Sequence, residues 1–204
     1  MMMMMLRPLA PLAFATALLL AGNAPAQQSA ADAARRYDPA FRTAEQKSKL
    51  QRFAYMDGTW RGPATYVLPD GSRHAIIQTE RIGPLLGGAI KLIEGRGYNP
   101  DGTTGFNAFA VLGWDVDAQA YGFRSHAMGF SGDMKFVPTD DGFVWEVPAG
   151  PGTVIRYTAV VKDGTWHEVG ERIGPDGQPA RTFEMTLKRI GDSAWPTAGA
   201  VPPR

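Results

Sequence analysis

The sequence contains no cysteine. That excludes a disulfide framework, thiolate metal sites, a thiol nucleophile and a lipid-modified cysteine anchor. Histidine is nearly as scarce, with three residues in 204, and none sits in a His-x-x-His or His-Glu-x-x-His spacing. His167 and Glu168 are adjacent, so on a strand they point to opposite faces and do not share a metal. Asp115 and Asp117 share a face but lie at a turn without the further oxygen ligands calcium needs. Gly83 to Gly88 lacks the Gly-Lys-Ser/Thr of a phosphate loop, and no Gly-x-Ser-x-Gly elbow occurs. An excess of charge is missing too: 21 Lys and Arg stand against 20 Asp and Glu. A near-neutral chain has no electrostatic footprint for nucleic acid or an anionic lipid surface.

What is present begins with an apolar run, Leu9 to Ala21, after the single charge of Arg7. Ala24-Pro25-Ala26 follows with the small-x-small pattern of a signal-peptidase site. Residues 1–26 read as a secretory signal peptide cleaved before Gln27, because the run is short for a bilayer span of about 20 residues. Export to the periplasm or the medium, with no membrane span after cleavage, is the expectation. Residues 27–37 are small and polar and read as a flexible lead-in. Gly191 to Arg204 is rich in Pro and Ala and reads as a disordered tail.

Between them lies one domain, residues 38–190. Asp38-Pro39 supplies an N-cap and a first-turn proline. Residues 39–56 favour helix, with Glu45 and Lys49 at i,i+4 and Leu50, Phe53 and Ala54 forming an apolar stripe suited to covering a barrel end. The punctuation then changes. Six Asp-Gly pairs, at 57–58, 70–71, 101–102, 141–142, 163–164 and 176–177, separate strand-length runs rich in aromatic and β-branched residues. The predicted strands are 58–68, 73–82, 89–98, 104–115, 120–128, 133–138, 143–148, 153–162, 165–173 and 180–190. Broader loops are expected at Gly83–Gly88 and Gly129–Gly132. No helical period intervenes, so the strands are antiparallel. A sandwich and an up-and-down barrel both fit. The lack of long crossovers favours the barrel, about ten strands behind a short N-terminal helix, all-β in class.

Alternation sorts the faces, the more apolar one pointing inward. The first strand then sends in Trp60, Gly62, Ala64 and Tyr66, and the second Ile76, Gln78, Glu80 and Ile82. The third sends in Ile90, Leu92, Glu94 and Arg96, and the ninth Trp166, Glu168, Gly170 and Arg172. Buried charges require partners. Glu80, Glu94, Arg96, Glu168 and Arg172 therefore form either a mutual ion-pair network or a polar cluster that orients a ligand. The strand 120–128 is ambiguous. The apolar rule turns Arg124 and His126 outward, yet Gly122 and Met128 on that face suit a lumen. If inward, Arg124 and His126 make a carboxylate-binding pair. Glu-Arg-Ile-Gly-Pro occurs at 80–84 and again at 171–175; it reads as a recurrent strand ending, since Gly-Pro takes the chain out of the ladder.

Gly58-Thr59-Trp60-Arg61-Gly62 resembles the Gly-x-Trp opening of lipocalin-like (calycin) barrels. Together with 80–88, 93–97, 123–129 and 165–172 it resembles a family of exported bacterial proteins known only as a domain of unknown function with that fold. The resemblance implies a barrel enclosing a cavity and supplies no activity. Nitrobindin-type barrels share a similar opening and hold haem through a late-strand histidine, whereas here Arg181 to Leu187 contains none. Haem is thus a minor possibility, and no cofactor or metal is expected. The leading expectation is a barrel that binds a small apolar or amphipathic molecule through Trp60, Glu80, Glu94, Arg96, Arg124, His126 and Glu168. The alternatives are an enzyme using lumen carboxylates or His126 as acid or base, and an envelope interaction module with a filled barrel.

Overall fold

The computed structural model describes residues 34–35, 37–68 and 70–193. The expected leader, most of the lead-in and nearly all of the tail lie outside the described residues. A helix α1 (Pro39–Gln51) and a 3-10 turn (Ala54–Met56) precede ten strands. These are β1 (Gly58–Val67), β2 (Arg73–Leu85), β3 (Ile90–Tyr98), β4 (Thr104–Asp115), β5 (Ala120–Ala127), β6 (Phe130–Pro138), β7 (Gly142–Pro148), β8 (Val154–Lys162), β9 (Thr165–Ile173) and β10 (Pro179–Gly191). Each strand pairs antiparallel with its sequence neighbours, and β1 pairs with β10, so the sheet closes into a barrel. The all-β, ten-stranded antiparallel barrel behind a short helix is the architecture that the punctuation predicts.

The turns form for a local reason. Gly71, Gly102, Gly164 and Gly177 adopt positive φ between 67° and 83°, a region open to glycine at little cost. The preceding aspartates cap the same turns. Asp70, Asp101 and Asp176 accept the backbone N–H two residues on, from Ser72, Thr103 and Gln178, at 2.9, 2.9 and 3.2 Å. The two expected broad loops are shorter than predicted, the first reduced to a 3-10 turn over Leu86–Gly88. Gly83-Pro84 stays in the β2–β3 ladder, opposite Leu92 and Lys91, while the β1–β2 ladder stops at Ile82. The missing proline N–H is therefore tolerated, because β2 has no partner on that side there. Gly129 is a turn residue, and β6 begins at once at Phe130.

The barrel has a packed end and a hollow end. At the packed end α1 lies across the opening, with Asp38 capping it through the Ala40 N–H at 2.9 Å. The chain leaves the α-helix before Phe53, short of the expected limit at 56, and drops Phe53 and Met56 into the barrel, both fully buried. Phe53 meets Tyr121 and Phe136 edge-on at 5.2 and 5.5 Å. The Trp60 indole donates to the Met56 carbonyl at 2.9 Å and sits edge-to-face with Trp166 at 5.9 Å. The Tyr121 hydroxyl takes up the Lys49 carbonyl, one of the acceptors that a helix C-terminus leaves free. Outside the ring, Arg42 grips Asp117, and Glu45 accepts from Trp114 and Gln119. These contacts all go to the β4–β5 hairpin, which pins the helix over the opening from that side.

Gly62 marks a close approach between strands. A Cβ there would stand 2.0 Å from the Thr186 carbonyl oxygen and 2.9 Å from the Leu187 Cα, both backbone atoms of β10. At Gly122 a Cβ meets nothing within 4 Å. Gly62→Ala is therefore expected to lower unfolding free energy by more than about 2 kcal/mol in urea denaturation, with Gly122→Ala within about 0.5 kcal/mol of the parent. Equal effects at the two sites would refute the close approach of β1 and β10.

Candidate functional site

Beyond the packed end, the lumen opens into a cavity of about 130 Å³. Its walls are aromatic. Tyr66, Phe106, Trp145 and Tyr157 are half-buried and stand toward the end away from α1, while Phe123, Phe143, Trp166 and Phe183 are buried. Trp145 and Tyr157 stack at 4.2 Å with an interplanar angle of 12°, and Tyr66 lies 4.8 Å from Phe183. Polar groups enter this apolar shell at few points: Gln78 and Glu80 from β2, Ser125 from β5, Glu168 from β9, and the two tyrosine hydroxyls.

Glycines on the inner wall make room for these groups. A Cβ at Gly95 would meet the Glu80 carboxylate at 2.8 Å, and one at Gly97 the Ile76 Cδ1 at 2.7 Å. A Cβ at Gly170 would meet the Tyr157 ring at 2.7 Å. The inner face of β3 is thus Lys91, Ile93, Gly95 and Gly97, opposite in parity to the apolar-face assignment. Glu94 and Arg96 consequently face outward. Glu94 is shared there between Arg81 at 2.7 Å and Arg96 at 2.7 Å; desolvation pushes its carboxyl up, but the hydrogen bonds and charges of the two arginines together hold it below the usual range.

The two lumen carboxylates have different surroundings. Glu168 accepts from both neighbouring indoles, Trp145 at 3.2 Å and Trp166 at 3.0 Å. Glu80 accepts from the Gln78 amide nitrogen at 2.7 Å. Among the described residues neither makes an ion pair. Burial pushes Glu80 up to about 8, with Glu168 and Glu94 adding like-charge repulsion, and pushes Glu168 up to about 7 against its two indole donors. Desolvation likewise drives Tyr157 up to about 12 and raises Tyr66, so both stay neutral hydroxyls. The Gln78 Oε1 is buried with no hydrogen-bond partner.

Of the residues expected to bind a ligand, the structure brings only Glu80 and Glu168 to the cavity. Trp60 is 1% exposed beneath it, part of the plug rather than the wall. Arg124 points out and pairs with Asp133 at 2.9 Å, and His126 is exposed on the same outer face, as the apolar rule for this strand has it. Glu94, Arg96 and His126 do meet, in a shallow external groove with Met128 and Phe130. Arg172 is exposed at the end of β9. The expected mutual ion-pair network is therefore split: Glu94 and Arg96 are outside, Arg172 is exposed at the end of its strand, and the other two glutamates are inside. None of the three histidines lines the lumen. His74 contacts Asn99, His167 contacts Glu184, and His126 faces the groove, so the cavity presents no imidazole for a haem iron. Sequence reasoning omitted Trp145, Tyr157, Ser125 and Phe106, although the same alternation, applied to β4, β7 and β8, places all but Ser125 inward, and Ser125 follows from the apolar face of β5.

The raised carboxyls set a sign for pH. A carboxyl whose folded pKa lies above its unfolded value binds more protons when folded, so its stabilising contribution is complete below about pH 4.5 and is lost as pH rises toward about 8. Glu80→Gln should remove that loss. The difference in unfolding free energy between Glu80→Gln and the parent is expected to grow by a few kcal/mol in favour of the variant between about pH 5 and about pH 8. A difference that is flat with pH in urea titrations would show that Glu80 is ionised throughout.

No protein-family model matches the chain, and no curated protein matches it in sequence. In structure it is similar to Rv2717c from M. tuberculosis, known from a crystal structure, with a TM-score of 0.52 and 11% identity. The likeness covers 69% of this chain and 96% of that one. At that identity it shows a shared barrel fold.

Proposed function

We propose that the protein is an exported, lipocalin-like barrel that binds a small, mostly apolar molecule in its lumen. The observation that carries this reading is the cavity of about 130 Å³, walled by aromatic rings and entered by a few buried polar groups. Ligand sites have that composition, with apolar area for affinity and a few polar groups for orientation. An envelope interaction module with a filled barrel accords less well, since only the α1 end is filled. Export rests on residues 1–26, and among the described residues no helix is long and apolar enough to cross a membrane. The kinship with exported lipocalin-like proteins rests on the sequence strings given above.

A second reading, acid–base chemistry in the lumen, has one specific observation in its favour. Glu80 and Glu168 are buried beside the cavity with pKa values near neutrality, the range suited to proton transfer at ordinary pH. On that reading one carboxyl holds the proton that the other lacks.

Two measurements test the first reading. The intact mass of protein recovered from the exported fraction is expected to correspond to a chain beginning at Gln27; a full-length mass would refute cleavage. Native mass spectrometry of the same material is expected to show a co-purifying small molecule. Ala108, on the cavity wall in β4, is the position to fill. Ala108→Phe should abolish the bound species while leaving the barrel folded by circular dichroism. Retention of the ligand by that variant would move the site out of the lumen.

A further inference from the structure

We infer that the lumen ligand carries a protonated amine, held between the carboxylates of Glu80 and Glu168, the orphaned Gln78 carbonyl and the aromatic wall. This rests on the lumen-binding reading above and names the chemistry of its ligand. The Trp145 and Trp166 N–H groups are committed to Glu168 and one Gln78 amide N–H to Glu80, while the Ser125, Tyr66 and Tyr157 hydroxyls also line the cavity. Acceptor capacity is nevertheless left unmet beside the carboxyls. The Gln78 Oε1 is 2% exposed as a residue and bonded to nothing, and Glu80 has only one of its oxygens engaged. A buried acceptor without a donor is costly, and a guest rich in N–H groups is the complement.

Two carboxyls, 9% and 4% exposed, share one apolar chamber without a Lys, Arg or His on its walls. Lys91, the nearest inward cation on β3, is committed to Asp57 at the plugged end. A neutral guest leaves these carboxyls either protonated or as uncompensated charges; a carboxylate guest adds a third like charge. An ammonium group supplies both the missing charge and three donors. Tyr66, Trp145, Tyr157 and Phe183 present ring faces and edges around the carboxyls, and cations gain attraction at such faces when water is excluded.

Proton linkage follows from the same geometry. The titratable groups facing Glu80 are Glu168 from β9, Tyr66 from β1 and Tyr157 from β8, with Glu94 acting from the outer side of β3. In the empty lumen a proton occupies Glu80, and an arriving ammonium displaces it. Amine binding near pH 7 therefore releases protons, whereas binding of a neutral isostere does not.

The test uses the full chain as exported and three benzyl probes of similar size: benzylamine, its near-isostere benzyl alcohol, and toluene, smaller by one heavy atom. Binding is followed by titration calorimetry in two buffers of different ionisation enthalpy and by fluorescence of the lumen tryptophans. Benzylamine is expected to bind at least about tenfold more tightly than benzyl alcohol at about pH 7.5, with proton release seen as a buffer-dependent heat. Glu80→Gln should erase that preference and the proton release while keeping toluene binding; Glu168→Gln is the second variant should Glu80→Gln fail to fold. If benzyl alcohol or toluene binds as tightly as benzylamine, or if no proton is released, the amine inference falls and the apolar-lumen reading stands. If none of the three binds, the lumen reading falls with it.

Discussion

The structure depends on the pairing of β1 with β10. Thr59 meets Gly191 at one end of that ladder, and Tyr66 meets Phe183 near the other. Once it forms, the ring has no edge strand, although β2 past Ile82 and the start of β6 are paired on one side only, and residues along each strand alternate between inside and outside. Period-two alternation then does the sorting. Outside, charges pair across strands, as Glu146 does with Lys135 and Arg156. Inside, aromatic and aliphatic chains meet. Close contact at Gly62 is a condition of the closure, because β10 passes where a side chain would stand.

Ten strands also set the problem that the interior must solve. Barrels of eight strands are about narrow enough for side chains to fill, and a wider ring needs something more. Here the two ends differ. At one end the chain before the barrel supplies the filling: α1 lies across the opening, Phe53 and Met56 descend from the turn after it, and Trp60 anchors them through the Met56 carbonyl. Large aromatic residues complete that layer, down to the stacked pair Phe136 and Phe143 at 5.2 Å. At the other end no segment of the described chain fills the ring, and glycines on β3 and β9 give their space to Glu80, Ile76 and Tyr157. Rigidity is concentrated where the helix docks, and space is left where the walls are aromatic.

The strands and turns were legible because their signals are local. Asp-Gly needs only its own turn, and the Asp side chain that caps it is two residues from the N–H it accepts. Faces were legible wherever one side of a strand carries large apolar residues, as with Ile76 and Ile82 on β2. They were not on β3, where Ile90 and Leu92 suggested an inner face that the structure assigns to Lys91, Ile93, Gly95 and Gly97. Hydrophobicity counts treat a glycine as blank, while its role here is to yield volume to Glu80 and Ile76 from the neighbouring strand. That information is held across a ladder, not along a strand. The same limit explains the site. Glu94 and Glu168 look alike in sequence, each within an alternating strand with an arginine further along the same parity, Arg96 and Arg172. Only the register shows that one reaches arginines outside and the other two indoles inside.

Stability alone does not account for Glu80 and Glu168. A buried carboxyl without a cation is a net cost, and apolar residues of similar volume commonly serve as well or better in such positions. The cost is visible in the direction in which both groups titrate, since each resists ionisation where an ordinary glutamate does not. The surrounding chain nevertheless accommodates them. Gly95 gives up its side chain for Glu80, Gln78 turns its amide nitrogen to the same carboxyl at the expense of its own carbonyl, and two tryptophans spend their only donors on Glu168. Four residues in four different strands, β2, β3, β7 and β9, are thus arranged around two groups that weaken the fold. An arrangement of that kind is understandable if the carboxyls act on something that enters the lumen, because a charge held ready in a dry aromatic chamber interacts far more strongly with a guest than the same charge in water.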